Sequence, residues 1–158
     1  MPAKFATNAA TVAPVRASIS TPVGPVVRAV LDGTPGVKLV EPMGYAETVA
    51  AVAASRFVLT DSGGLQEEAP TLGKPVLVMR RETERPEGLE AGTLRLVGAG
   101  YEDVVRETRR LLTDGELYGR MARASNPYGD GKAAERIVAS LLHVLRGGPA
   151  PVEFQAPA

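Results

Sequence analysis

A chain of 158 residues, 44% apolar and 23% charged, has the size and composition of one soluble globular domain with room for a real core. Its 18 basic and 18 acidic side chains cancel and only 4% of residues are aromatic, so nothing suggests nucleic acid or a membrane as partner. The lack of cysteine excludes disulfides, thiolate metal sites and cysteine nucleophiles, no apolar run suits a membrane span, and no signal-peptide pattern opens the chain. A cytoplasmic protein is expected.

Residues 1–24 are rich in Ala, Thr, Ser, Val and Pro, and Pro2, Pro14 and Pro22 interrupt them. An irregular N-terminal segment is expected, in which only Val15–Ser20 has strand character. From Val26 the pattern becomes α/β. Val26–Leu31 reads as a helix stopped by Asp32-Gly33, Val37–Val40 as a strand, and Tyr45–Ala54 as an alanine-rich helix. Phe57–Thr60 is a strand, Leu65–Leu72 a helix, Lys74–Met79 a strand. A charged loop runs through Glu90, and a strand follows at Thr93–Val97. Val104, Val105, Leu111 and Leu112 give Tyr101–Thr113 a helical period. Glu116–Ala124 is a helix ended by Asn126–Gly131, and Lys132–Leu145 is the last. Residues 147–158, rich in Pro and Gly, are expected to form a flexible tail. Strands alternating with helices over residues 25–146 predict an α/β domain with a mostly parallel sheet covered on both faces.

The candidate site is the run Thr60-Asp61-Ser62-Gly63-Gly64-Leu65-Gln66-Glu67-Glu68-Ala69-Pro70. An apolar strand enters a Ser-Gly-Gly turn and leaves as a helix. Such a turn aims free N–H groups and a positive dipole end at a phosphate, beyond the carboxyl ends of parallel strands. Small residues also serve simply to turn a chain. Glu67 suits the helix dipole as a cap, whereas Glu68 is placed to accept bonds from ribose hydroxyls. Pro70 implies a short helix that bends or restarts there. Arg85, in the run Thr83-Glu84-Arg85-Pro86-Glu87, supplies a guanidinium suited to a diphosphate, stiffened by Pro86. Arg80 and Arg81 read as solvated. His143 lacks a second ligand or nucleophile nearby and reads as structural. Asp61 reads as a brace of the turn, and Asp130 as an N-cap of the last helix.

These two runs, with Glu41-Pro42-Met43-Gly44-Tyr45, Gly73-Lys74-Pro75-Val76-Leu77, Ala91-Gly92-Thr93 and Asn126–Gly131, follow the order and spacing of a known family. Residues 25–140 resemble the C-terminal half of the non-hydrolysing UDP-N-acetylglucosamine 2-epimerases. The resemblance implies a Rossmann-like sheet flanked by helices, one half of a GT-B arrangement. It implies UDP or a UDP-N-acetylhexosamine as ligand, with no cofactor and no metal. Family enzymes interconvert UDP-N-acetylglucosamine and UDP-N-acetylmannosamine by eliminating UDP to a glycal and adding it back. By the same resemblance Ser62, Gly63 and Gly64 would hold the diphosphate, Glu68 the ribose and Arg85 the phosphate region. Uracil would lie near Met43–Thr48.

The departures are as specific. The family's N-terminal carboxylates and its His-Arg-Arg-Glu-Asn segment have no counterpart, and Pro22-Val23-Gly24-Pro25 stands where the family has His-Pro/Leu-Asn-Pro. Acid–base work at the sugar needs titratable groups within reach, so no catalytic residue is assigned and the chain is expected to be inactive alone. In a sheet of order 3-2-1-4-5-6 the absent segment would be the usual first, central strand. Val37–Val40 would be strand 3 and Phe57–Thr60 strand 4, with residues 15–20 replacing strand 2. The sheet should re-pair across the gap or leave an open edge. The last helix should expose Ile137, Leu141 and Leu145 to a separately encoded N-terminal half or to a second copy. A non-catalytic nucleotide-sugar-binding or regulatory module, or a degenerate fragment, are the alternatives.

Overall fold

The computed structural model describes residues 15–18 and 24–154. They belong to two compact units, residues 1–51 and 52–158. In the first, β1 (Val15–Ser18) and β2 (Val37–Val40) pair in parallel, with Val15 opposite Val37 and Ser18 opposite Val40. The expected strand is thus present, although residues 19–23 lie outside those described. Between the strands runs α1 (Gly24–Leu31), with Pro25 in its first turn, where a missing N–H costs little. Gly33 ends the helix at φ 73°, a left-handed conformation that glycine adopts freely. Helix α2 (Tyr45–Ala54) starts in this unit, and the Glu47 carboxylate accepts from the Gly44 N–H at 3.1 Å, one arm of a capping box.

The second unit is built on three parallel strands in the order β3 (Val58–Thr60), β4 (Val76–Val78), β5 (Leu94–Leu96). Val58, Val76 and Leu94 stand in register. Around the sheet run α3 (Gly63–Thr71), α4 (Pro86–Glu90), α5 (Tyr101–Thr113) and α6 (Gly115–Arg123), and α7 (Ala133–Arg146) follows with no buried residue. The central strand β4 is buried throughout, and its alternation splits the core in two. Val76 and Val78 pack with Val52, Ala69 and Leu94 on one face. Leu77 packs with Val97, Leu111, Leu117 and Met121 on the other. A strand buried on both faces reads as an unbroken apolar run, as Val76-Leu77-Val78 does.

The α/β fold with a parallel sheet flanked by helices is therefore the one expected, with local differences. Helix α3 starts at Gly63 rather than Leu65, because the two glycines form its first turn instead of a separate loop. It ends one residue after Pro70, with Gly73 at φ 65°, and does not restart. The charged loop before Glu90 contains α4, started by Pro86 at a first-turn position. Among the described residues β3 pairs with β4 alone, and Leu59 on it is 39% exposed. None of the described helices is long and apolar enough to cross a membrane.

Helix α7 ends in a Schellman turn. Gly147 sits at φ 67°, its N–H donates to the His143 carbonyl at 3.0 Å, and that of Gly148 reaches the Leu142 carbonyl. The chain then runs back, and the Phe154 ring lies 5.5 Å from the Arg136 guanidinium. His143 is exposed, with Nδ1 2.6 Å from the Gly148 carbonyl oxygen.

Candidate functional site

Parallel register puts the carboxyl ends of β3 and β4 side by side. The Met79 N–H donates to the Thr60 carbonyl at 2.8 Å, and Gly98 N–H to the Arg80 carbonyl at 3.1 Å, so the ladder continues one step past the strands. Ser62 follows β3 at this edge in extended conformation, its N–H held by the buried Thr60 hydroxyl at 3.0 Å. Gly63 and Gly64 then open α3. The Ser62 side chain does not cap them, so first-turn N–H groups remain for another acceptor. Ser62, Gly64 and Glu68 are all exposed on this end of the helix.

The two runs singled out in the sequence meet here. Gln66 is fully buried, donates through Nε2 to the Ser62 carbonyl at 3.2 Å, and accepts from the Thr83 hydroxyl through Oε1 at 2.5 Å. The Thr83 hydroxyl in turn accepts from the Arg85 N–H at 3.1 Å. Arg85 closes the circuit through an ion pair between its Nε and the Glu67 carboxylate, and its NH1 reaches the Glu84 carbonyl at 3.2 Å. The bond to Glu67 is the leading reason why the Arg85 pKa rises above the ordinary guanidinium value. One amide side chain thereby fixes both the glycine turn and the arginine loop.

Arg80, at the end of β4, pairs with Glu84 at 2.9 Å. The carboxyl of Glu84 is held below its usual range first by its own backbone N–H and then by Arg80 and Arg85. Its Oε1 lies against Gly63, 2.8 Å from the point a Cβ would occupy there. Behind the loop, Gly88 of α4 is wedged between Leu94 and the Tyr128 hydroxyl, both of which occupy its Cβ space. That hydroxyl is buried and lacks a hydrogen-bond partner among the described residues. Burial, followed by the nearby Glu87 and Glu67, raises the Tyr128 pKa. Tyr128 is presented by Asn126, whose side chain accepts from the Tyr128 N–H at 3.2 Å and donates to Thr71 at 2.9 Å.

Ser62, Gly63, Gly64, Glu68 and Arg85 thus belong to one corner of the second unit. Met43 lies in the first unit, half-buried between β2 and α2. Asp61 is exposed, and the bracing expected of it is done by Thr60. Asp130 is not the N-cap expected, since the helix starts one residue later, with Lys132 at that position. It still braces the start of α7, accepting from the Lys132 N–H at 3.0 Å and from both Arg136 nitrogens at 2.8 and 2.7 Å. Arg80 is paired rather than merely solvated. Gln66, Thr83 and Glu84 were missed, and one signal was available for Gln66. It shares the buried face of α3 with Ala69 and Pro70, where a polar residue needs partners.

A profile of the family described as UDP-N-acetylglucosamine 2-epimerase matches residues 3–142. The chain belongs to that family. It is 57% identical over 106 residues to the UDP-N-acetylglucosamine 2-epimerase of Bacillus subtilis, an alignment covering 67% of this chain and 28% of that one. An S. aureus protein of the family, solved with UDP, superposes with a TM-score of 0.76 at 43% identity, over 82% of this chain and 36% of that chain. The enzyme from Neisseria meningitidis, solved with UDP-GlcNAc, gives 0.73 at 40% identity over the same shares. The chain spans about 30% of the length of its full-length epimerase relatives.

Proposed function

We propose that this chain is the UDP-gripping, C-terminal part of an epimerase and is inactive by itself. The observation that carries the reading is the circuit Ser62–Gln66–Thr83–Arg85–Glu67, which fixes an uncapped glycine turn and a guanidinium at one strand-end corner. Preorganised donors of this kind suit a diphosphate, because little ordering is left to be done on binding. Ser62, Gly63 and Gly64 take the diphosphate, Arg85 its outer charge and Glu68 the ribose hydroxyls. Two solved relatives with UDP and UDP-GlcNAc in their structures support the ligand class. Departure of UDP from the sugar is the part of the reaction these groups serve, since they stabilise the leaving diphosphate. Proton removal and return at the sugar require the remainder of the family's fold, for which the apolar face of α7 is the docking surface.

The test is a thermal melt with UDP. Ligand at about 100 times its dissociation constant raises stability by about 2.7 kcal/mol, a shift of about 2–4 °C at this size. Arg85→Ala and Glu68→Ala each abolish most of the shift. A cooperative melt indifferent to UDP would remove the nucleotide reading.

A further inference from the structure

Two carboxylates stand near the start of α3, Glu68 beside Gly64 and, closer in, Glu84 beside Gly63. The Glu84 Oε1 presses on Gly63 where a side chain would project, and its Oε2 is held by Arg80 at 2.9 Å. It takes no hydrogen bond from the first-turn N–H groups of α3. The dipole attracts it, but nothing locks it there. The two arginine–carboxylate pairs of the corner differ in this respect. Arg85 and Glu67 are tied into the buried Gln66–Thr83 network, whereas Arg80 and Glu84 form a single contact within one loop, 38% and 50% exposed. An exposed single-contact pair is weak and opens readily.

We infer that Glu84 is a built-in competitor for the ligand's phosphate: it fills the space over Gly63 when the site is empty, and an arriving phosphate displaces it and takes over Arg80. This rests on the nucleotide reading and adds to it a residue that sets affinity by opposing the ligand. Two negative groups cannot share the space over Gly63 without strong repulsion, so binding must include the opening of Arg80–Glu84. A side chain at position 63 would meet only the Glu84 carboxylate, the far end of a flexible side chain that can swing aside, as the inference requires it to do for a phosphate.

The experiment is calorimetric titration of the full chain with UDP, comparing wild type, Glu84→Gln, Glu82→Gln and the double variant Arg80→Gln/Glu84→Gln. Removing the competing charge tightens UDP binding by about five- to tenfold. Glu82, exposed on the same loop, controls for net charge, and its variant stays within about twofold. The double variant loses the gain, because the freed Arg80 is what the phosphate acquires. Melts without ligand check that each variant is folded. Wild-type binding that is unchanged or weakened by Glu84→Gln overturns this inference alone, as does an equal gain in Glu82→Gln. Absence of binding by every variant overturns the nucleotide reading and this inference with it.

Discussion

Gln66 is a neutral amide at a position where the helix faces the core, and it makes two side-chain hydrogen bonds there without exposure to water. Replacing it with leucine keeps the bulk but strands the Ser62 carbonyl and the Thr83 hydroxyl, at about 1–3 kcal/mol for the groups left unsatisfied. Denaturant melts should register that loss. UDP titration should register a second effect, weaker binding, because Arg85 is positioned through Thr83. Gly88→Ala tests the opposite side of the same loop. Its methyl would enter space held by Leu94 and Tyr128, an overpacking of about 1–3 kcal/mol that also shifts α4 and the arginine preceding it. At this scale the sequence was partly legible. Ser62, Gly63, Gly64, Glu68 and Arg85 could be picked out by type and spacing. Glu67 read as a dipole cap, because only the folded loop brings Arg85, eighteen residues on, to its side.

Elements were legible where their period was strong and blurred where composition misled. Tyr45–Ala54 and Tyr101–Thr113 have the bounds their patterns give. Helix α4 was hidden because five residues in a charged stretch give no period, although Pro86 marks its start. The strand β4 shows how element and core are linked. Leu77→Ala empties a fully buried position on the α5–α6 face and should cost about 2–5 kcal/mol in a chemical melt. Helix α5 is pinned to β5 by charge as well. Burial would raise the Glu107 carboxyl, but bonds from Arg106 and Arg95 outweigh it and hold the pKa low. The start of α7 offers a pH test. Arg136, then the Lys132 N–H, holds the Asp130 carboxyl well below its ordinary range. A lowered folded-state pKa means the contribution is complete above about pH 4, the unfolded value, and is lost as pH falls through the folded one. Amide exchange at Ala133 and Ala134 should therefore be independent of pairing changes above pH 4 and speed up relative to an Asp130→Asn control only in stronger acid.

The molecule as a whole carries apolar surface that its own fold does not use. Ile137, Val138, Leu141, Leu142, Val144 and Leu145 are all exposed on α7, and Leu145 is 76% exposed. Full burial of one such side chain is worth about 1.5–3 kcal/mol, so an unpartnered helix with this many of them favours association. The proposed cover for this face is the rest of the family's fold, of whose length this chain spans about 30%. If that is so, α7 contributes little to the unit that carries it. Leu141→Glu with Leu145→Glu should leave the melting temperature nearly unchanged, because substitutions at exposed positions cost within about 0.5 kcal/mol each. The same pair should reduce self-association in sedimentation and abolish capture of the remaining two thirds of the fold supplied as a separate polypeptide. A large drop in melting temperature would instead mean that α7 packs on its own unit in solution, and the docking role of its apolar face would fall.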